Sequence, residues 1–553
     1  MKIVFGRRKS MRLAIIMLAL MAMLGMPVTS SLASGSWKVS EVTLPGVNGE
    51  SNNVAFAFDR YVLVAPYAPS NPIAEDADLS ALDNHFLQLF DTKKPFASPV
   101  SISLQTLSSG KTVYYPTRVL FDSRSQIVYV RGTRFVETAD GFDPVEVLAY
   151  TRLNLDDNNK PIFNSTVSVV DIKGIGSADH CSDAPTDFGL GQNGSFLVFT
   201  NGASIFSYNL EEGYIKRVDI VPAQNFSQDN HITYLDVDDV TNIVTVCSNN
   251  KVKGEDGSVK TFSELSFYNL GEKGSLDLNK LVRPQDFPEN TAMTRGSRVA
   301  ITATSSNRPD FAYFMINDGT LCQVDLDPET PVATSVKQLQ KFDAFAQTSA
   351  DDAGPRNVKI DSSKRMIGIV KQGFTAQIAR PSNGRRGRTK NLIRTLSTFN
   401  AVESPAFGLV KIGKKGKVLS SNIFTDDFRA EEGLTDFASG AEGQWMISTH
   451  SGKLYSVGTT DDPQRASLEL MIQLGTRTDQ IAFCSARSSV VAISSLAADD
   501  SGEEIATPGS LIIAKPNDVS VLSANTMSIS AVPGKTTPPG PSIRRPCNDK
   551  RVN

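Results

Sequence analysis

Cysteine and histidine are scarce in this chain of 553 residues, which contains 5 cysteines and 4 histidines. So few cysteines exclude a small scaffold held together by many disulfides. No Cys-x-x-Cys or His-x-x-x-His pair occurs, and His85, His180, His231 and His450 lack the spacing of metal ligands. The Gly-x-Ser-x-Gly motif of a nucleophile elbow is also missing. The sequence therefore contains no recognisable catalytic or metal-binding motif.

The chain also has no excess of positive charge, because its formal net charge is −3. Removing the five basic residues of the N-terminal segment, which has no acidic residue, leaves the rest of the chain at −8. A main partner that is a nucleic acid is disfavoured, because phosphate binding needs a basic surface. We expect no nucleic acid partner.

Long apolar runs are limited to one segment near the N-terminus. A basic stretch that ends at Arg12 precedes twelve apolar residues, 13–24, and a small-x-small sequence ends at Ala33. These three parts in this order are typical of a secretory signal peptide over 1–33, cleaved between Ala33 and Ser34. Twelve residues are short for a membrane span, so a retained membrane helix is the weaker alternative. We predict an exported protein, periplasmic or extracellular, with no membrane anchor after signal removal.

The chain repeats itself internally. The 21 residues from Asp187 align without a gap to those from Asp436, an offset of 249 positions. Val119 and Val358 begin a second similar pair, with an offset of 239, and Tyr-Asn-Leu at Tyr208 recurs at Tyr268, with an offset of 60. Offsets near 60 and near four times 60 indicate a repeating unit of about 60 residues.

Each unit has the pattern of an antiparallel meander of short apolar strands separated by polar turns. Such a meander cannot bury both of its faces alone, and packing the units radially into a ring solves that problem. We predict an all-β propeller of about eight four-stranded blades, or seven if one unit is miscounted, with an array of β-sandwiches as the alternative fold. An early strand, Trp37–Leu44, is expected to complete the last blade. The predicted units begin near Val54, Arg118, Asp187, Ile232, Ser297, Asn357, Asp436 and Gln480.

The segments 119–130 and 358–370 run from an apolar strand through Asp and a polar turn into a second apolar strand. In this they resemble the repeats of secreted β-propellers of the WD40-like or YVTN type. The resemblance concerns the fold alone, because such motifs specify a fold and not an activity. We place the propeller at 34–530 and a Pro-rich disordered tail at 531–553.

Several motifs have a functional and a structural interpretation. Gly189, Gly191 and Gly194 match the dinucleotide pattern G-x-G-x-x-G, but a strand and no helix follows, which favours a turn. The acidic turns at 156–159 and 236–242 are candidate calcium sites, although solvated turns fit them better. His180 and Cys181 lie beside Asp179 and Asp183 in the densest group of potential ligands. Cys247, Cys322 and Cys484 are expected on strands as free thiols, and Cys547 in the tail. We predict no cofactor and name no catalytic or metal residue, with calcium as the alternative.

A basic segment stands out in the unit that starts near Asn357. Six positive charges occur in the fifteen residues 380–394, and we select Arg385, Arg386 and Arg388 as candidate partner-binding residues. The expected function is a non-catalytic scaffold that binds a protein or glycan on its loop faces. The alternative is a metal-dependent hydrolase resembling propeller lactonases.

Overall fold

A computed structural model describes this chain between residues 37 and 516. The described ranges are 37–48, 53–58, 60–65, 86–104, 112–138, 141–163, 168–171, 188–221, 230–238, 240–253, 259–283, 299–303, 309–326, 336–347, 355–361, 364–378, 397–401, 405–414, 416–428, 432–439, 444–449, 451–458, 461–473, 478–484, 489–494, 497–498, 504–505 and 508–516. Almost all regular structure within them is β-strand. None of the helices in these ranges is long and apolar enough to cross a membrane.

The strands form antiparallel sheets of four or five members, which we number as blades 1 to 8. The first half of the chain contributes β1 (Trp37–Asn48), β2 (Asn53–Ala57), β3 (Tyr61–Ala65), β4 (Phe86–Asp91), β5 (Val100–Ser103), β6 (Tyr114–Asp122), β7 (Ile127–Thr138), β8 (Gly141–Leu155), β9 (Pro161–Phe163), β10 (Ser168–Asp171), β11 (Phe188–Gly191), β12 (Phe196–Thr200), β13 (Ser204–Asn209), β14 (Ile215–Asp219), β15 (His231–Asp238), β16 (Ile243–Lys253), β17 (Val259–Leu270) and β18 (Leu276–Val282). Blade 1 is β2–β5, blade 2 is β6-β7-β8-β10 with β9 beside β8, blade 3 is β11–β14 and blade 4 is β15–β18.

The second half contributes β19 (Ala300–Ala303), β20 (Pro309–Met315), β21 (Thr320–Asp325), β22 (Lys337–Lys341), β23 (Pro355–Asp361), β24 (Met366–Lys371), β25 (Phe374–Ile378), β26 (Ser397–Ala401), β27 (Ala406–Ile412), β28 (Val418–Phe424), β29 (Leu434–Ser439), β30 (Trp445–Thr449), β31 (Lys453–Gly458), β32 (Ser467–Gln473), β33 (Thr478–Cys484), β34 (Ser489–Ser494), β35 (Ala497–Ala498), β36 (Glu504–Ile505) and β37 (Pro508–Pro516). Blade 5 is β19–β22, blade 6 is β23-β24-β27-β28, blade 7 is β29–β32 and blade 8 is β33-β34-β37-β1. Short 3₁₀ helices occur at Asp343–Phe345 and Pro463–Arg465.

Position within a blade decides how strongly a strand is buried. The second strand of blade 3, β12, has the sequence FLVFT and is buried at every position. The fourth strand, β14, has the sequence IKRVD and alternates exposed with half-buried positions. A middle strand has a sheet neighbour on each edge and another blade on each face, so both of its faces are apolar. This is why the middle strands appear in the sequence as short continuous apolar runs.

Each pair of adjacent blades shares one apolar cluster, and the clusters close a ring. The cluster around Leu63 and Val130 joins blades 1 and 2, and that around Tyr129 and Phe199 joins blades 2 and 3. Further clusters join blades 3 to 4, 4 to 5, 5 to 6, 6 to 7 and 7 to 8. A last cluster, which includes Val42 and Phe90, joins blade 8 back to blade 1. The chain is therefore a closed β-propeller.

The predicted fold class, an all-β propeller, is confirmed. In the described ranges, seven sheets have four strands each, and seven is the blade count that the sequence analysis gave as its alternative. The remaining position in the ring is taken by blade 2, whose four-strand path carries the short extra strand β9. Each predicted unit start lies within a few residues of the first strand of a blade.

The ring closes through the N-terminal strand, as predicted. β1 pairs antiparallel with β37, with Val39 opposite Ala514 and Val42 opposite Leu511. Val39 and Val42 are both buried, and they belong to the clusters shared with blade 7 and with blade 1 respectively. One strand from the start of the chain thus seals the last blade against both of its neighbours.

The internal repeats have a simple structural meaning. The aligned strands β12 and β30 are the second strands of blades 3 and 7, and Val119 and Val358 lie on the first strands of blades 2 and 6. Both offsets near 240 therefore span four blades. Tyr208 and Tyr268 lie on the third strands of blades 3 and 4, so the offset of 60 spans a single blade.

Candidate functional site

The meander gives the disc two different faces. In a blade of four consecutive antiparallel strands, the connections from strand 1 to 2 and from 3 to 4 lie at one end. The connections from strand 2 to 3, and from strand 4 to the next blade, lie at the other end. We call the face with the strand 1–2 and 3–4 connections the hairpin face, and the face with the strand 2–3 connections the loop face. Contacts between blades show that the same end of each blade lies on the same face.

The hairpin face contains tight turns between strands 1 and 2, and those of blades 2, 3 and 4 are bonded to one another. The backbone N–H of Gln192, in the first turn of blade 3, donates to Asn242 Oδ1 of blade 4 at 2.6 Å. The Arg124 guanidinium of blade 2 donates to the side-chain oxygen of Asn193. Asn193 and Asn242 both have positive φ, of 57° and 58°. Short turns cross-linked in this way make a rigid surface with little room for insertions.

The loop face carries the long insertions. The pairing of β6 with β7 ends at Thr133 of β7, but β7 and β8 continue to pair with each other as far as Thr138 and Gly141. β16 and β17 extend in the same way from Asn249 to Val259. The β25–β26 hairpin is inserted between strands 2 and 3 of blade 6, and β35–β36 between those of blade 8. In blade 1 the same connection spans residues 66–85. The elaborated connections between strands 2 and 3 therefore share one face.

Blades 3, 5 and 7 have short connections at the equivalent position. Each contains a glycine with positive φ, namely Gly202, Gly319 and Gly452. In the two blades related by the long repeat, a threonine fixes the turn: Thr200 Oγ1 donates to the carbonyl of Ser204 at 2.9 Å, and Thr449 Oγ1 to that of Lys453 at 3.2 Å. Long and short connections thus alternate around the ring from blade 2 to blade 7.

Buried polar contacts anchor the loop face to the blades. The carboxylate of Glu432, which is 2% exposed, pairs with the Lys453 ammonium and accepts a 3.0 Å hydrogen bond from Tyr455 Oη. Lys371 is also buried, and its Nζ donates to the Ala346 carbonyl at 2.8 Å. These contacts tie connections between blades to strands 2 and 3 of the neighbouring blade. These contacts therefore hold the backbone of the loop face in a fixed position.

A second charged group lies at the end of β14 on the same face. Asp219 accepts hydrogen bonds from Ser204 Oγ at 2.6 Å and from Arg217 Nε at 2.5 Å. The Ser204 hydroxyl has the largest effect and lowers the pKa of the Asp219 carboxyl, burial opposes it, and Arg217 lowers that pKa further. Asp219 stays ionised and exposed, and its negative charge is paired with the positive charge of Arg217.

The glycine-rich motif and the acidic turns are structural. Gly189 and Gly191 lie on β11, and the turn that follows leads into β12, so no helix N-terminus is available for a pyrophosphate. Asp156 Oδ1 accepts from the backbone N–H groups of Asn158 and Lys160, at 2.9 and 2.7 Å. Asp238 Oδ1 does the same for Val240 and Thr241, at 2.9 and 3.0 Å. These carboxylates close hairpin turns of the ordinary Asx type.

Cys247 and Cys322 are free and fully buried on strands, as predicted. His231 begins β15 and is 4% exposed. Within the described ranges, no group of three or more His, Cys, Asp or Glu side chains is arranged to hold a metal ion.

Several predicted features lie outside the described residues. They are the signal peptide with its cleavage point at Ala33 and Ser34, the tail at 531–553, His85, His180, Cys181, His450, Cys547, and the candidate partner-binding residues Arg385, Arg386 and Arg388. Cys484 ends β33, and its side chain is likewise outside the description. The arginine segment falls between β25 and β26. The β25–β26 hairpin that flanks this segment was not predicted from the sequence.

Comparison with known proteins places the chain by fold alone. No family model and no curated protein matches it. Among solved structures, the Dos1 propeller matches at 9% identity over 86% of this chain and 94% of that one, with a TM-score of 0.44. The WD40 β-propeller domain of Doa1 matches at 10% identity over 87% and 97%, with a TM-score of 0.37. A functionally unknown protein from Desulfotomaculum acetoxidans DSM 771 matches at 11% identity over 70% and 92%, with a TM-score of 0.35. The resemblance to WD40-like propellers holds at the level of the fold, and the sheet topology carries that assignment.

Proposed function

We propose that this protein is an exported, non-catalytic scaffold that binds a protein or glycan ligand on its loop face. The observation that supports the proposal is the asymmetry of the disc. Tight turns on the hairpin face are bonded across blades 2, 3 and 4, whereas the extensions of strands 2 and 3 and the inserted two-stranded hairpins start from the loop face. A rigid scaffold that carries variable loops on one side is the usual arrangement of a binding protein.

The two faces can be compared by site-specific crosslinking in the cells that produce the protein. A photo-reactive amino acid replaces Ser451 on the loop face in one variant and Lys273, exposed on the hairpin face, in the other. We expect Ser451 to crosslink to a discrete partner or glycan and Lys273 to give no such product. Crosslinks from Lys273 alone would overturn the proposal. Hydrolysis of lactones or phosphate esters by the purified protein, abolished by a chelator, would replace it with the hydrolase alternative.

The arginine segment extends the proposal to particular residues. Arg385, Arg386 and Arg388 lie in the connection inserted between strands 2 and 3 of blade 6, which starts from the loop face. A cationic segment there would attract an acidic ligand, and this attraction would weaken as salt is added. In the triple Arg→Ser variant we expect weaker binding of the crosslinked partner and a shallower salt dependence. Unchanged binding and salt dependence would remove these residues from the site.

A further inference from the structure

A cleft opens at the seam where the ring closes, on the rim of the hairpin face. It measures about 400 Å³ and lies between the outer strands of blade 8 and the β4–β5 turn of blade 1. Its lining has ten described residues, among them Lys38, Lys93, Lys94, Lys515, Thr92 and Phe96. Four of these ten residues are lysines and none is acidic. In a chain with a net charge of −3, the seam therefore concentrates positive charge locally.

The fold brings these lysines together against their mutual repulsion. Lys38 and Lys515 are directly opposite one another in the β1–β37 ladder, and like charges at such positions destabilise a sheet. Lys93 and Lys94 approach from the neighbouring blade. Asp91, the acid that precedes their turn, accepts two hydrogen bonds from Arg60, of 2.9 and 2.5 Å, so its negative charge is shared between Arg60 and the nearby Lys94. An anion in the cleft would offset the repulsion among the four lysines.

The wall of the cleft is held in place before any ligand arrives. Lys515 Nζ donates to the Thr92 carbonyl at 2.5 Å, which fixes the turn of blade 1 to blade 8. Thr92 Oγ1 donates to the carbonyl of Arg60 at 2.7 Å, and the N–H of Ala97 to that of Lys94 at 3.0 Å. Lys38, Lys93 and Lys94 remain exposed. The backbone that carries these three cations is already fixed, so binding requires ordering of their side chains alone.

Two further features indicate what kind of anion fits. Phe96 is 46% exposed in the cleft wall, so an apolar side chain can pack beside the charges. Among the described strands, β1 is the outermost of its sheet, and an outermost strand offers backbone donors and acceptors along its outer edge. A small inorganic anion would use neither feature. An extended peptide that alternates acidic and apolar residues would use both, by adding a strand to the sheet.

We propose that this cleft is a docking site for an extended acidic segment of a partner protein. Its carboxylates pair with Lys38, Lys93 and Lys94, an apolar side chain contacts Phe96, and its backbone pairs with β1. The site is independent of the proposed function, because it lies on the other face of the disc and uses none of the loop-face residues.

The probe is a fluorescein-labelled peptide of alternating Glu and Val, followed by fluorescence anisotropy on the mature full-length chain. The test variant combines K38Q, K93Q and K94Q, and leaves Lys515 to hold Thr92. The matched control combines K160Q, K337Q and K414Q, which changes the net charge equally at exposed lysines elsewhere. We expect about tenfold weaker binding in the test variant, from three contacts of about 0.5 kcal/mol each, and less than twofold change in the control.

Three results would overturn the proposal: no binding to the unaltered chain, equal loss in both variants, or full displacement of the peptide by millimolar inorganic phosphate. The second result would mean general charge attraction, and the third a site for a free anion. A peptide with methylated backbone nitrogens tests the strand pairing and should bind more weakly than its parent. The loop-face crosslinking experiment does not depend on any of these outcomes, so the two proposals fail separately.

Discussion

Individual residues define the short turns of the ring, and Gly319 on the loop face is tightly constrained. Its φ is +84°, and an added Cβ would lie 2.4 Å from the Phe342 carbonyl oxygen and 2.9 Å from the Ala346 nitrogen. Both are backbone atoms that cannot rotate away. Gly213 has a similar φ of +73°, but the nearest atom to its added Cβ is Tyr208 Oη at 3.8 Å. Alanine at Gly213 would therefore introduce backbone strain alone, whereas alanine at Gly319 would introduce backbone strain and steric overlap.

We therefore expect Gly319→Ala to destabilise the protein more than Gly213→Ala. The left-handed backbone costs about 1–2 kcal/mol in both variants, and only Gly319→Ala adds the overlap. Urea unfolding followed by circular dichroism measures the difference. Equal midpoints for the two variants would show that the chain relaxes around residue 319 without cost.

Buried thiols are a second feature at the residue scale. Burial, with a smaller contribution from the negative charge of Asp318, raises the pKa of the Cys322 thiol to about 12. Because the thiolate is the reactive form, Cys322 is protonated and unreactive at pH 8. Cys247 is fully buried as well.

Iodoacetamide at pH 8 should therefore leave the peptides that contain Cys247 and Cys322 unmodified in the folded protein. Mass spectrometry of the digested protein measures this, and the same reaction in guanidinium chloride, where both should react fully, is the control. Rapid native labelling of Cys322 would contradict the burial of β21.

At the scale of elements, ion pairs fasten turns to strands, and the pair formed by Arg60 and Asp91 is bidentate. It joins the first turn of blade 1 to the end of β4. Burial alone would raise the pKa of the Asp91 carboxyl, but hydrogen bonds from Arg60 and from the Lys93 N–H outweigh it and lower that pKa. The pair thus stabilises the fold above the ordinary Asp pKa of 3.8, and this contribution is lost as the pH falls through the lowered folded value.

Arg60→Gln should cost about 1 kcal/mol at pH 7, and the difference from the unaltered protein should shrink below about pH 3.8. Urea unfolding at pH 7 and pH 3 measures both effects. Arg217→Gln is the matched control, because Arg217 and Asp219 form a pair whose side chains are 44% and 60% exposed. Its cost should stay below about 0.5 kcal/mol. A larger loss for Arg217→Gln than for Arg60→Gln would contradict this ranking.

At the scale of the whole molecule, the closed ring depends on β1. This strand places Val39 and Val42 in the interfaces of blade 8 with blades 7 and 1. Without it, the edge of β37 is unpaired and both interfaces lose apolar contact. A ring has no free end to fray, so opening it at one seam weakens the entire assembly.

A chain that begins at residue 49 should therefore be less stable than one that begins at residue 34, by roughly 3–6 kcal/mol from the two valines at about 1.5–3 kcal/mol each. Calorimetry measures the lower midpoint. A synthetic peptide with the sequence of Trp37–Asn48 should restore part of the stability by mass action. An unchanged midpoint after truncation would show that β1 is dispensable for closure.

Local patterns were enough to predict the strands, their grouping and the role of β1. Strands such as β12 are short apolar runs bounded by turn residues, and repeated units such as those around Phe196 and Trp445 show the same pattern at regular spacing. The sequence alone thus determined the meander of each blade, its repetition and its closure. The meander and its repetition depend on contacts between residues near in the chain, or on a repeat that copies them, whereas closure pairs β1 with β37 from opposite ends of the chain.

The tertiary structure decided which residues become neighbours across the ring. Lys38 and Lys515 lie at opposite ends of the chain, and no local pattern relates them to Lys93 and Lys94. The long and short connections alternate on one face because all of them join strands 2 and 3, and the ring places that end of every blade on the same side. Both features arise from packing between blades, because packing brings together side chains that sequence spacing keeps apart.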